Sequence, residues 1–69
     1  MSYKTRVLVL IPAYNEAATV GNVIARVLQQ GLPVLVVDDG SSDDTARVAV
    51  RAGANCVQLP FNLGVGGAL

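Results

Sequence analysis

Residues 32–45 read LPVLVVDDGSSDDT. The first half, Leu32–Val37, is an unbroken apolar run rich in β-branched side chains, the composition of a strand in a parallel sheet with both faces covered. Pro33 has no N–H to give a ladder and so belongs at the strand's start. The Asp-Gly-Ser stretch after the run is turn chemistry. Asp43 and Asp44 suit the first turn of a helix, where the dipole is positive, and Ser41 or Ser42 can cap it. A buried strand passing through a short polar turn into a helix over about 43–52 is the repeating unit of a parallel α/β sheet.

The same unit appears upstream. RVLVLI (residues 6–11) is a second continuous apolar run, ended by Pro12 and followed by the polar loop PAYNEA. From about Ala17 to Gln30 the period becomes helical: Val20, Val23, Ile24, Val27 and Leu28 share one face. Gly31 stands where a left-handed residue ends a helix, and Gly53 does the same for the second helix. Gly21 lies inside the first helix and weakens it. Downstream, Asn55–Leu59 reads as a third, shorter strand, and PFNLGVGGAL as a Gly-rich turn entering a third helix. The order β-α-β-α-β, with short right-handed connections, predicts a three-stranded parallel sheet, half of a Rossmann-like doubly wound domain. Such sheets bind ligands outside the carboxyl ends of their strands. PAYNE, DDGSSDD and FNLGVGG all fall at that end.

Bulk properties narrow the function. The chain has 69 residues, 52% of them hydrophobic, enough for one small unit. Cys56 is its only cysteine and it has no histidine, which argues against an internal disulfide and a structural zinc site and suits a reducing compartment. The net charge is zero and the five basic residues are scattered, so no nucleic-acid-binding face is expected. The run Val7–Ile11 is far shorter than the about 20 residues that cross a bilayer, and the amino terminus lacks the pattern of a signal peptide.

Four of the five acidic residues crowd into positions 38–44. Like charges repel, and a carboxylate beside an apolar strand loses hydration, so the cluster needs a reason. Asp43 and Asp44 have one as helix-start residues. Asp38 and Asp39 sit at the strand end itself, where a carboxylate can accept two donors from a base. Tyr14, at the mouth of the neighbouring strand, can stack on that base or be a half-buried loop aromatic. Pro12 is accounted for as a strand stop. Glu16 reads equally as a helix-start acid or a ligand contact. NLGVGG offers backbone N–H groups to a phosphate, but it is not a dinucleotide fingerprint and follows the wrong strand for one.

VLIPAYNEAATV, VLVVDDGSSDDTARVA and LPFNLGVGGAL, in this order and spacing, resemble the amino-terminal third of a family 2 glycosyltransferase of the GT-A fold. The resemblance runs from about Val7 to Leu69 and is nearest the dolichyl-phosphate mannose synthase-like and bacterial polyprenyl-phosphate sugar transferases. It implies a nucleotide-diphospho-sugar donor site in a three-layer α/β domain, of which residues 1–69 are the nucleotide-binding part. Pro12, Tyr14 and Glu16 match the family's first nucleotide-contacting loop. Val37 and Asp39 match the strand-end contact, with Asp39 recognising the base. Asp38 shapes the loop, and Gly64 and Gly66 support the site. The resemblance further implies Mg²⁺ or Mn²⁺ on a D-x-D motif after a fourth strand, beyond residue 69, so no metal ligand or catalytic base is assigned in this chain. It implies a hexose passed to a polyprenyl phosphate or another cell-envelope acceptor at the cytoplasmic face of a membrane. The chain alone is expected to be inactive and to dimerise or aggregate through an uncovered strand edge.

Two other classes compete. One is a non-catalytic nucleotide-binding or assembly module. The other is a receiver-like signalling domain, but there the acidic pair follows the first strand, and here it follows the second.

Overall fold

A computed structural model describes residues 7–60. Strands β1 (Val9–Ala13), β2 (Val34–Asp38) and β3 (Asn55–Gln58) alternate with helices α1 (Val20–Gln29) and α2 (Thr45–Arg51). The strands are parallel, in the order β1-β2-β3. Val9 pairs with Val34 and Ala13 with Asp38, while Leu35 pairs with Asn55 and Asp38 with Gln58. The predicted β-α-β-α-β order is the observed one. The expected third helix, with Gly64 and Gly66, lies outside the described residues.

One prediction changes at Pro12. The sequence predicts a strand stop there, yet β1 runs through it to Ala13. The backbone bonds at the two ends of the pair, Val9 N–H to the Pro33 carbonyl and Asp39 N–H to the Ala13 carbonyl, turn the odd-numbered groups of β1 toward β2. In a parallel ladder alternate residues face opposite ways, so the N–H that Pro12 lacks would have pointed away from β2.

The strands were also expected to be covered on both faces. Among the described residues only one face is. Val34 and Val36 of β2 meet Ile24 of α1 and Ala49 of α2 in the buried core, with Ile11 and Cys56 packed against it. On the other face Leu10 is 57% and Val57 47% exposed. The cause is topological: two successive right-handed crossovers moving the same way across a sheet put both helices on the same side.

The helices are shorter than their periodicity suggested. Residues 17–19 form a turn, and α1 begins only at Val20. Its first turn contains no acidic residue, so Glu16 is not a helix-start acid. Val23 rotates out of the apolar face and is 45% exposed. Gly31 (φ 79°) and Gly53 (φ 105°) end the helices in the left-handed conformation, as predicted. Gly21, which weakened the sequence reading of α1, has a packing role: a Cβ there would lie 3.3 Å from a methyl group of Val48 on α2. Its bare backbone lets the two helices approach closely.

Candidate functional site

The carboxyl ends of β1 and β2 carry two polar loops, Tyr14–Thr19 and Asp39–Asp44, side by side. Each reaches across to the other. Asp38 ends β2 and is almost wholly buried. Its Oδ1 accepts the Ser41 N–H at 3.1 Å and the Ser41 hydroxyl. With its proton committed to Asp38, the Ser41 oxygen is turned to accept the N–H of Asn15 at 2.7 Å. A second relay runs beside the first. Thr45, fully buried, donates its hydroxyl to Asp43 Oδ1 and accepts the Glu16 N–H at 2.8 Å. Asp43 Oδ2 then accepts the Ala17 N–H at 3.2 Å.

Three consecutive N–H groups of the first loop are therefore held by side chains of DDGSSDDT. Asn15 returns the connection through its Oδ1, which accepts the Ser42 N–H at 2.8 Å, the Ser42 hydroxyl at 3.3 Å and the Asp43 N–H at 3.4 Å.

This divides the acidic cluster by task. Asp38 organises its own turn, as expected. The sequence predicts Asp43 in the first turn of α2, but that turn holds no acidic residue and Asp43 lies one position before the N-cap. Its Oδ1 accepts the Thr45 N–H at 2.9 Å and its Oδ2 binds the loop opposite. The Thr45 hydroxyl lowers the Asp43 pKa below the usual carboxylate value; loss of hydration opposes it, and backbone N–H groups add to the lowering. Asp44 occupies the N-cap position of α2 without a side-chain cap bond, and Ser41 and Ser42 are not caps at all. Ser41 is engaged with Asp38 and Asn15, and Ser42 with Asn15.

Asp39 follows the strand and is buried, 6% exposed. Its backbone N–H bonds the Ala13 carbonyl at 2.9 Å, and the Asp38 carbonyl accepts the Leu59 N–H at 2.8 Å. The strand end carrying both carboxylates is thus fixed from both sides. Asp39 lines a hollow of ≈ 180 Å³ together with Pro12, Ala13, Tyr14 and Glu16. Tyr14 is 46% exposed at its rim. Glu16 folds back so that its Oε1 accepts the Tyr14 N–H at 3.2 Å.

The structure brings together Pro12, Tyr14, Glu16 and Asp39 from the predicted site. Val37 does not line the hollow. It pairs with Pro12 across the sheet and points to the open face. A larger hollow, ≈ 610 Å³, lies beside α2 between Asp43, Arg47, Arg51 and Gln58. Exposed side chains of both signs wall it, and no strand-end residue of β1 or β2 contributes. The smaller hollow has the position of a ligand site in an α/β sheet. Among the described residues no group of three or more His, Cys, Asp or Glu side chains converges to hold a metal ion, so these residues by themselves do not fit a metal centre.

Sequence reasoning missed Asn15, Ser41 and Thr45 as members of the site. A signal was present: Asp38 stands three residues before Ser41 and Asp43 two before Thr45, spacings at which a carboxylate readily meets a nearby hydroxyl or N–H.

A parallel α/β half-sheet with an aromatic, a carboxylate and a proline gathered at its carboxyl edge is the arrangement of a ligand-binding α/β domain. Residues 8–69 match the model of glycosyl transferase family 2, and the chain belongs to that family. It is 36% identical over 67 residues to an uncharacterized protein of Methanocaldococcus jannaschii, covering 96% of this chain and 28% of that protein. It is 43% identical over 53 residues to 4,4'-diaponeurosporenoate glycosyltransferase of Staphylococcus aureus, covering 74% and 14%. Among solved structures it is similar to glucosyl-3-phosphoglycerate synthase from Mycobacterium tuberculosis, in complex with phosphoglyceric acid (TM-score 0.64, 42% identity, 74% of this chain and 20% of that one). It is also similar to mannosyl-3-phosphoglycerate synthase from Rubrobacter xylanophilus (TM-score 0.64, 35% identity, 74% and 18%). The chain thus spans less than a third of the length of the relatives it matches, and its parallel α/β arrangement is shared with glycosyltransferases of the GT-A fold.

Proposed function

We infer that this chain is the donor-nucleotide-binding part of a glycosyltransferase that moves a hexose from a nucleoside diphosphate sugar to an anionic acceptor. The observation that carries this reading is the hollow shared by Tyr14 and Asp39 at the carboxyl ends of β1 and β2. Tyr14 offers a ring face to a base, and Asp39 offers carboxylate oxygens to the base's ring and exocyclic N–H groups. Glu16 and Pro12 close the sides, and Val37 supports Pro12 from the neighbouring strand. Gly64 and Gly66, outside the described residues, are the supporting positions that the family resemblance implies.

Mg²⁺ or Mn²⁺, when bound, would supply charge neutralisation of the leaving diphosphate. Its ligands lie outside the described residues, on the D-x-D motif that the family resemblance implies. The chain alone binds without transferring, because it carries the nucleoside end of the site only.

The acceptor is a polyprenyl phosphate used in cell-envelope synthesis, with transfer at the cytoplasmic face of the membrane. Among the described residues no helix is long and apolar enough to cross a membrane, so any anchoring comes from elsewhere. A second acceptor is favoured by the two synthases above, whose names carry 3-phosphoglycerate. Both acceptors are anionic at neutral pH and need little help from a general base.

Radiolabelled UDP- and GDP-hexoses offered to the full-length protein with Mn²⁺ and either acceptor test the reading. Label in a lipid-extractable product supports the polyprenyl phosphate, and label on phosphoglycerate supports the second acceptor. No metal-dependent transfer or donor hydrolysis from any of these donors would overturn the assignment.

A further inference from the structure

Asn15 stands between Tyr14 and Glu16, yet unlike them it does not line the hollow. Its backbone is left-handed at φ 51°, the only non-glycine in that state among the described residues. Asparagine tolerates this conformation better than most residues, but it still needs support from its surroundings. The support is visible. The Asn15 N–H is fixed by Ser41, and its side-chain oxygen by the Ser42 and Asp43 N–H groups, contacts that join segments 26 to 28 residues apart in sequence. The left-handed turn sends the side chain of Asn15 toward the second loop while both its neighbours border the hollow.

We propose that Asn15 is a positioning residue that clasps the two loops together and so holds Tyr14 and Glu16 against Asp39 in the geometry that takes a nucleoside diphosphate. This rests on the donor-site reading above and assigns a function to a residue that touches no part of the hollow. The clasp is two-sided. Removing the Asn15 oxygen leaves the Ser42 and Asp43 N–H groups without their acceptor, while Ser41 and Thr45 continue to hold the first loop's backbone. The expected defect is therefore a loosened site on an intact sheet.

Asn15→Gly separates the side chain from the backbone, because glycine adopts φ 51° without strain. In the full chain, hydrogen exchange at the Ser42 and Asp43 amides should accelerate about tenfold, the scale of one lost hydrogen bond. The Leu35 and Val36 amides in β2 should keep their protection. Affinity for UDP or GDP, whichever the unmodified chain prefers, should fall by about tenfold as well. Asn15→Asp keeps an acceptor oxygen in the same place and should restore protection. Its rescue is read from exchange alone, because the added charge repels an anionic nucleotide.

Unchanged exchange in Asn15→Gly overturns the clasp. Faster exchange with unchanged nucleotide affinity overturns the positioning role. Should the unmodified chain take up neither nucleotide, the donor-site reading and the positioning role fall together, and the exchange arm still decides whether Asn15 clasps the loops.

Discussion

Asp38 and Asp39 are adjacent, both buried, and turned to different tasks. Asp38 Oδ1 is occupied by the N–H and hydroxyl of Ser41, whereas Asp39 borders the hollow beneath Tyr14. Strand alternation causes this difference. Side chains of successive residues leave a strand on opposite sides, so two neighbouring carboxylates at its end cannot share one space.

The two positions should therefore fail differently. Asp38→Ala leaves both Ser41 donors unpaired at an almost closed site and should cost about 1–3 kcal/mol of stability. Its effect on nucleotide affinity should be secondary to that loss. Asp39→Ala should reduce affinity for the preferred nucleoside diphosphate at least about tenfold, because two base donors lose their acceptor. Thermal melts and calorimetric titrations of both variants measure the separation. Equal affinity losses at matched stability would contradict it.

Acid should open the site before it unfolds the sheet. Hydrogen bonds lower the pKa of Asp43 in the folded state, so its contribution is complete above the ordinary carboxylate range. That contribution is lost as pH falls from there through the lowered value, when the carboxyl group protonates and releases Ala17 and Thr45. Amide exchange or chemical shifts at Ala17 and Thr45, followed below pH 4 against those of Val36, should report this order. Asp43→Asn should remove the pH-dependent step at those two amides. A step that persists in the variant would assign it to another carboxylate.

Much of this was legible in the residues. The apolar runs, the helical period of residues 20–28 and the glycines at 31 and 53 determine the element order. The strand-end position of Asp38 and Asp39 pointed to the edge of the sheet where the hollow lies. Three features were not legible. Whether Pro12 stops a strand depends on which side its missing N–H would face, and that is set by pairing rather than by local preference. Coverage of the sheet depends on which way each crossover moves, so two-sided burial could not be read from an apolar run alone. The partners of Asn15, Ser41 and Thr45 are distant in the chain, and only the juxtaposed strand ends bring them within reach.

Gly53 should resist substitution. A Cβ there would sit 3.0 Å from Leu28 Cδ1, on a backbone at φ 105° that side chains rarely adopt. Gly53→Ala should destabilise the chain by about 1 kcal/mol or more. At Gly31 (φ 79°) an added Cβ would meet no close neighbour, so Gly31→Ala tests the conformational part alone. Denaturant melts should rank Gly53→Ala as the more damaging, and the reverse order would show that Leu28 yields freely.

The open face of the sheet should make the chain self-associate when it is prepared alone. Leu10 and Val57 are about half exposed there, and β1 pairs only with β2 among the described residues. Pro12 interrupts the outer row of donors on β1, which weakens edge pairing and favours contact through the apolar face. Sedimentation over a concentration series should show dimers or larger species. A monomer at every concentration with a sharp melt would contradict this.

The hollow between Tyr14, Glu16 and Asp39 should take a nucleoside diphosphate. Amide chemical shifts of the full chain, titrated with UDP and with GDP, test it most directly. At least one nucleotide should move the resonances of Ala13, Tyr14, Glu16 and Asp39 in a saturable way, and Asp39→Ala should abolish the movement. Shifts centred on Arg47, Val50 and Arg51 beside α2, or none with either nucleotide, would contradict it.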